Sequence, residues 1–136
     1  MENNSTQIDE HIYFINQLYR DFLFPEILDR DNTTILYWAG KRIARHYDVA
    51  SFEDLTDFFD HAEFGKLEKI KEKRTSIKYL LSGLTVEDRL NSDSKEFSLE
   101  AGMIAEALQK EIGRATECEV HINEKAKNVE LIARFG

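Results

Sequence analysis

The sequence predicts an α+β fold, in which about four α-helices pack against an antiparallel β-sheet made of a meander and a C-terminal hairpin. Apolar residues recur three and four positions apart in the first half of the chain, as on amphipathic helices. Later in the chain they alternate with polar residues, as on half-buried strands. The regular succession of strand and helix that builds a parallel sheet is missing. Residues 1–136 therefore form one predicted domain, in which residues 1–6 are expected to fray.

An apolar stripe at helical spacing marks the first predicted helix. Its members are Ile8, Ile12, Ile15, Tyr19 and Phe22. Such a stripe is typical of an amphipathic helix. Pro25 predicts that the helix ends near Leu23, because a proline disfavours helical geometry at the residue before it.

The second helix is predicted to begin at an N-cap within residues 31–34 and to reach about His46. Gly40 lies in its middle, where a glycine costs about 1 kcal/mol relative to alanine. We expect a close packing neighbour at this glycine, and Ala44 continues the small-residue surface one turn further on.

Two further helices are predicted. The third begins at a weak capping box formed by Ser51 and Asp54, with Gly65 as the residue that follows its C-terminus. The fourth covers residues 98–111 and stops at Gly113. It carries a second strip of small residues, Ala101, Gly102 and Ala105.

The strands are predicted from alternation at a period of two. Residues 66–73 form a first strand, and the alternation at Ile77, Tyr79 and Leu81 forms a second. After an interruption at Gly83, the same period predicts more strand at Leu84, Val86 and Leu90. The chain ends in a hairpin over residues 117–135, which turns at residues 123–128.

Composition excludes several classes of protein. With 42% hydrophobic and 32% charged residues, the chain is neither disordered nor a disulfide scaffold. No apolar run approaches the twenty or so residues of a membrane span. The first ten residues are polar and acidic, unlike a secretory leader, so we expect a cytoplasmic protein. Cys118 is the single cysteine, so the chain forms no internal disulfide.

The charge distribution argues against nucleic acid as a partner. Eighteen Lys and Arg stand against 26 Asp and Glu, and the net charge of −8 repels phosphate backbones. Residues 66–78 are a local exception, with six basic residues against two glutamates. The favoured interpretation is the solvated face of a hairpin, and the alternative is a polyanion site.

Candidate catalytic and metal-binding groups are few. Cys118 and His121 differ by three positions on a strand, so their side chains leave opposite faces. Asp57 and His61 lie one turn apart, which suits two metal ligands but is also common on exposed acidic helices. His46 is best explained by a favourable interaction with the C-terminus of its helix. Phosphate loops, nucleophile elbows and zinc-protease motifs are absent from the sequence, and we predict neither a metal nor another cofactor.

The second helix mixes aromatic, small and cationic residues between positions 36 and 45. Tyr37 and Trp38 are interpreted as core and interface aromatics, with Lys41 in solvent. In the alternative interpretation these side chains line a pocket with a cationic rim.

Several short motifs follow one another along nearly the whole chain. They are Leu-Tyr-Trp-Ala-Gly-Lys at 36–41, Phe58-Phe59, Gly65-x-Leu67, Phe-Ser-Leu-Glu-Ala-Gly at 97–102, and Ala105-Glu106. As a set they resemble the YslB-like family of small uncharacterised proteins from low-GC Gram-positive bacteria. That family is in turn remotely similar to the fold of four-vinyl-reductase-type ligand domains and TRAPP-type trafficking subunits. The resemblance implies an antiparallel sheet on helices, often dimeric and sometimes enclosing a hydrophobic ligand.

The sequence departs from the cofactor-binding members of that wider group. Their zinc-binding members carry paired cysteines in the last hairpin, whereas Cys118 stands alone here. Their haem-binding relatives carry Tyr-x-Ser-x-Arg, which none of the five tyrosines begins. The resemblance therefore implies neither zinc nor haem for this chain.

Our leading hypothesis is a non-enzymatic cytoplasmic binding protein that forms a homodimer and holds a hydrophobic small molecule. The candidate ligand-binding residues are Tyr37, Trp38, Lys41 and Phe97. The candidate interface residues are Gly40, Ala44, Ala101, Gly102 and Ala105. Alternatives are a partner-binding adaptor without a small ligand, and a hydrolase or transferase that uses His46, His61 and a carboxylate.

Overall fold

A computed structural model describes residues 10–136 of the chain. The fraying expected for residues 1–6, and the position of Ile8, lie outside the described residues. An antiparallel sheet packs against helices, so the predicted α+β class is confirmed.

The first helical region is longer than predicted. It comprises α1 (Glu10–Asn16), a π-helical turn (Gln17–Leu23), α2 (Phe24–Leu28) and a 3₁₀ turn (Asp29–Asp31). We call these residues, 10–31, the N-terminal helical segment. The end predicted near Leu23 is wrong, because the π-helical turn leads directly into α2, with Pro25 in the first turn of α2.

The second and third helices agree with the sequence. Helix α3 covers Asn32–His46 and α4 covers Phe52–His61. The Ser51 hydroxyl accepts the Asp54 N–H at 3.1 Å, which confirms the predicted cap. Gly65 does not terminate α4, since Glu63 takes the left-handed position after the helix, with φ of 60°.

Within residues 10–136, four strands form the sheet. They are β1 (Lys66–Glu72), β2 (Ser76–Ser82), β3 (Thr116–Asn123) and β4 (Asn128–Phe135). Their order is β1-β2-β4-β3 and every pair is antiparallel. One face of the central strands is fully buried, through Ile77, Tyr79, Leu81, Val129, Leu131 and Ala133.

The segment after Gly83 is helical, not a strand. Helix α5 covers Leu84–Leu90 and buries Thr85, Val86, Arg89 and Leu90. Positions 85, 86, 89 and 90 share one face of a helix. The sequence prediction missed this helical period because Leu84, Val86 and Leu90 are an even number of positions apart, as on a strand.

Helix α6 (Ser98–Ile112) is the centre of the molecule. Every residue from Ser98 to Leu108 is buried, and Gly113 ends the helix in the left-handed conformation predicted for it. Because a helix buried on all sides has no solvated stripe, its contacts with the sheet and with α3 define the core.

Helices α3 and α6 cross at their two glycines. A Cβ added to Gly40 would lie 2.1 Å from the Leu99 carbonyl oxygen, and one added to Gly102 would lie 2.0 Å from the Tyr37 carbonyl oxygen. Each small-residue surface is therefore flat because another backbone lies against it, and that backbone belongs to the same chain.

This contact corrects the interface assignment made from the sequence. The residues assigned to a homodimer interface are all buried within one chain: Gly40, Ala44, Ala101, Gly102 and Ala105. They leave no free surface for a second copy. The homodimer itself stays a prediction, and it needs a different surface.

Candidate functional site

A groove of about 530 Å³ lies beside Tyr37, between α3, the start of α6 and strand β3. The exposed surface of its walls is mainly apolar. The residues that line it are Thr33, Thr34, Tyr37, Ser98, Ala101, Glu117, Cys118, Glu119 and Val120. The groove adjoins β3, which is an edge strand of the sheet.

Tyr37 connects the two walls of this groove. Its hydroxyl donates to the Glu117 carboxylate and accepts the backbone N–H of Cys118 at 3.0 Å. The Lys41 ammonium lies 3.1 Å from the same carboxylate and 4.9 Å from the centre of the Tyr37 ring. The hydrogen bond from Tyr37, together with Lys41, holds the pKa of Glu117 below its usual value. Burial, aided by this hydrogen bond, raises the pKa of Tyr37.

The four predicted ligand-binding residues do not form one site. Tyr37 lines the groove, and Lys41 lies at its Glu117 side. Trp38 is 59% exposed outside the groove, with the Arg42 guanidinium 5.4 Å from its ring. Phe97 is buried in the core under Arg89 and does not line the groove. Neighbours in sequence diverge here because consecutive helical residues point about 100° apart.

The N-terminal helical segment presents its apolar residues to solvent. Seven large side chains are 37–64% exposed, and we call them the outer apolar face: Ile12, Phe14, Ile15, Leu18, Tyr19, Phe22 and Ile27. They are exposed, whereas Gln17, Arg20 and Asp21 of the same segment are buried or half-buried against the protein. The stripe found in the sequence is thus real, but its described members lie outside the core.

The inward side of this segment carries polar residues and also Phe24, which packs against the core. The Gln17 amide donates to Asp88 at 2.9 Å, and the Arg20 guanidinium donates to both carboxylate oxygens of Glu100 at 2.8 and 3.2 Å. Asp21 accepts from Arg89 at 3.1 Å. Polar contacts therefore hold the segment against α5 and α6, while its apolar side stays uncovered.

Glu100 is the centre of a buried ionic cluster that the sequence analysis missed. This glutamate is fully buried and also accepts from the Arg89 guanidinium at 3.1 Å. Burial alone would raise its pKa, but Arg20 and Arg89 together hold the pKa below the usual value. Two cations and the two anions Asp21 and Glu100 balance, so the cluster carries no net charge. The only signal in the sequence was a glutamate among small and apolar residues in α6.

The candidate chemical groups are dispersed. Cys118 is buried, and burial raises the pKa of its thiol, while His121 is exposed on the other face of β3. His61 and Asp57 line an open pocket of about 470 Å³, and His46 does not line it. Within residues 10–136, no three His, Cys, Asp or Glu residues are placed to hold a metal ion together. Likewise, no helix of this range is long and apolar enough to cross a membrane.

Comparison with known proteins places this architecture in a class. A vinyl-4-reductase family protein from Methanocaldococcus jannaschii has the same fold, with a TM-score of 0.65 and 18% sequence identity. The match covers 97% of this chain and 84% of that one. The fold is therefore that of the vinyl-4-reductase family proteins, as the resemblance implied.

The sequence places the chain within a narrower group. Residues 13–134 match the family described as protein of unknown function DUF2507, and the chain belongs to that family. It is 30% identical over 134 residues to the uncharacterized protein YslB of Bacillus subtilis (strain 168). That match covers 98% of this chain and 90% of YslB, which confirms the YslB-like resemblance.

Proposed function

We propose that this chain is a non-enzymatic, cytoplasmic binding protein that works as a homodimer, in which a second copy covers the outer apolar face. The observation that carries the proposal is the reversed orientation of the N-terminal helical segment. Its polar side is turned to the protein through Gln17, Arg20 and Asp21, and its apolar side is left uncovered. An exposed apolar patch of this kind is typical of an association surface.

The size of the outer apolar face suits a dimer. With side-chain areas of about 150–250 Å², its seven exposed members present roughly 500–900 Å² of apolar surface. A monomer's largest patch is about 300–600 Å², and a stable interface buries about 800 Å² per partner, polar rim included. The face thus supplies most of one half of a standard interface.

Charge favours a second copy at this face. Residues 11–19 contain no Asp, Glu, Lys or Arg, although the chain as a whole carries a net charge of −8. Two such chains repel one another over most of their surface, and they meet with the least electrostatic cost at a neutral patch.

Sedimentation equilibrium tests the proposal. We expect a mass near twice 15.9 kDa for the wild-type chain, and a mass near 15.9 kDa for the double variant Phe14→Lys/Phe22→Lys. Ile122→Lys, which places a single lysine on an exposed isoleucine of β3, is the control and should stay dimeric. A wild-type chain that is monomeric at tens of micromolar, or a control that dissociates equally, would overturn the proposal.

A hydrophobic small molecule is the second candidate, and the groove beside Tyr37 favours it. The exposed surface of the groove walls is mainly apolar, and the groove volume falls within the range of about 300–1,000 Å³ found for ligand pockets. Native mass spectrometry of gently purified protein should then show an added mass. That mass should disappear in Thr34→Trp, which fills the groove, and an unchanged adduct would argue against the site.

A further inference from the structure

The hairpin of β1 and β2 concentrates positive charge on an acidic protein. We call residues 66–78 the basic hairpin. Its cations are Lys66, Lys69, Lys71, Lys73, Arg74 and Lys78, against Glu68 and Glu72, which leaves a local charge of +4. The two ion pairs within the hairpin are long, at 3.8 Å, and exposed. The Lys69 ammonium lies 5.3 Å from the centre of the Phe52 ring, whereas Lys66, Lys71, Lys73 and Arg74 are exposed to solvent.

Two of these lysines oppose each other. Lys71 pairs with Lys78 directly across β1 and β2, and like charges in that position destabilise a sheet. Lys78 has Glu130 at 3.7 Å, whereas Lys71 has no carboxylate within 4 Å in the part of the chain that the structure describes. Among the described residues, no ion pair at Lys71 offsets this repulsion. Proteins break such local rules mainly at functional sites.

An exposed apolar side chain, Ile70, lies between two of these lysines in the chain. The register of β1 against β2 shifts between Lys69 and Lys71, so Ile70 is the extra residue of a β-bulge. Ile70 is 47% exposed and has a lysine on each side. The phosphate backbone of a nucleic acid would contact the cations alone. An anionic lipid bilayer would contact the cations and also bury an apolar residue below its headgroups.

We propose that the basic hairpin docks on the surface of an anionic lipid bilayer. The cations of the turn and of β1 approach the headgroup phosphates, and Ile70 enters the region between headgroups and acyl chains. This site is separate from the outer apolar face and does not depend on dimer formation. It also requires no membrane-spanning helix.

Vesicle flotation tests the proposal on the full chain. The chain should float with vesicles of phosphatidylglycerol and phosphatidylcholine in equal parts, and should not float with phosphatidylcholine alone. Each cation near an anionic surface contributes roughly a fivefold gain in partitioning, so Lys71→Glu/Lys73→Glu should lower partitioning by at least about twentyfold. The control Lys125→Glu/Lys127→Glu makes the same charge change at the turn of the other hairpin and should have a much smaller effect.

Two further measurements separate lipid docking from simpler explanations. Lys71→Glu replaces a repulsive cross-strand pair with an attractive one, so its urea unfolding midpoint should equal or exceed that of the wild type. Ile70→Ser should reduce vesicle partitioning and leave the binding of heparin, a polyanion without a bilayer, unchanged. Absence of flotation, equal losses in the two lysine pairs, or an Ile70→Ser variant that floats like the wild type would each overturn the proposal.

Discussion

Replacement of Gly102 by alanine tests the crossing of α3 and α6. The new Cβ would lie 2.0 Å from the Tyr37 carbonyl oxygen, whereas ordinary contacts begin at 3.4 Å. The two helix backbones must therefore separate by more than about 1 Å. Overpacking of a core typically costs about 1–3 kcal/mol, and a clash with backbone belongs at the upper end or beyond. The helix-propensity gain of about 1 kcal/mol offsets only part of this cost.

We expect Gly102→Ala to lower the free energy of unfolding by about 3 kcal/mol, or the melting temperature by about 10 °C. Urea and thermal unfolding followed by circular dichroism measure both quantities. Gly113→Ala is the control, because nothing lies within 4 Å of its added Cβ and its φ of 74° accounts for a loss of only about 1 kcal/mol. If Gly102→Ala is as stable as the wild type, the helices do not approach as closely as described.

Two further predictions concern buried groups. Glu100→Gln should cost about 3–5 kcal/mol, because it leaves Arg20 and Arg89 buried without their shared anion, and urea unfolding at neutral pH measures the loss. Folding lowers the pKa of Glu100. The ionised carboxylate therefore contributes fully to the free energy of unfolding above pH 4.5, the ordinary pKa, and this contribution is lost as the pH falls through the lower, folded-state pKa. The gap between wild type and variant should therefore narrow in acid, and a constant gap would show that Glu100 is not ionised in the folded state. The buried Cys118 thiol should react with a disulfide reagent at least about tenfold more slowly in the folded than in the urea-unfolded chain, and equal rates would contradict its burial.

The sequence predicts local structure well wherever the signal is local. The Ser51 cap of α4 and the stop of α6 at Gly113 are set by residues next to the helix ends, and the bounds of α3, α4 and α6 lie close to those predicted. The alternation in β2, β3 and β4 likewise reflects the one face that each strand buries. The prediction of a strand at α5 is wrong because three apolar residues at even spacing fit both a strand and a short helix.

The candidate site depends on pairings between distant residues, and a single sequence does not contain them. Gly40 and Gly102 each predicted a close neighbour correctly, but the partner was in the same chain, 62 residues away, and not in a second copy. Glu117 approaches Tyr37 only because α3 and β3 both pack against α6. The orientation of the N-terminal helical segment was equally hidden, since it depends on Arg20 reaching Glu100 across 80 residues.

Tyr37 has a second role at the border of the sheet. Its hydroxyl accepts a hydrogen bond from the outward-facing N–H of Cys118. The Gln109 side-chain oxygen likewise accepts one from the N–H of Thr116 at 3.1 Å. An extended segment from another molecule that tried to lengthen the sheet beside β3 would find both of these donors already engaged. One aromatic residue thus shapes the groove and also discourages fibre-like growth at that end of the strand.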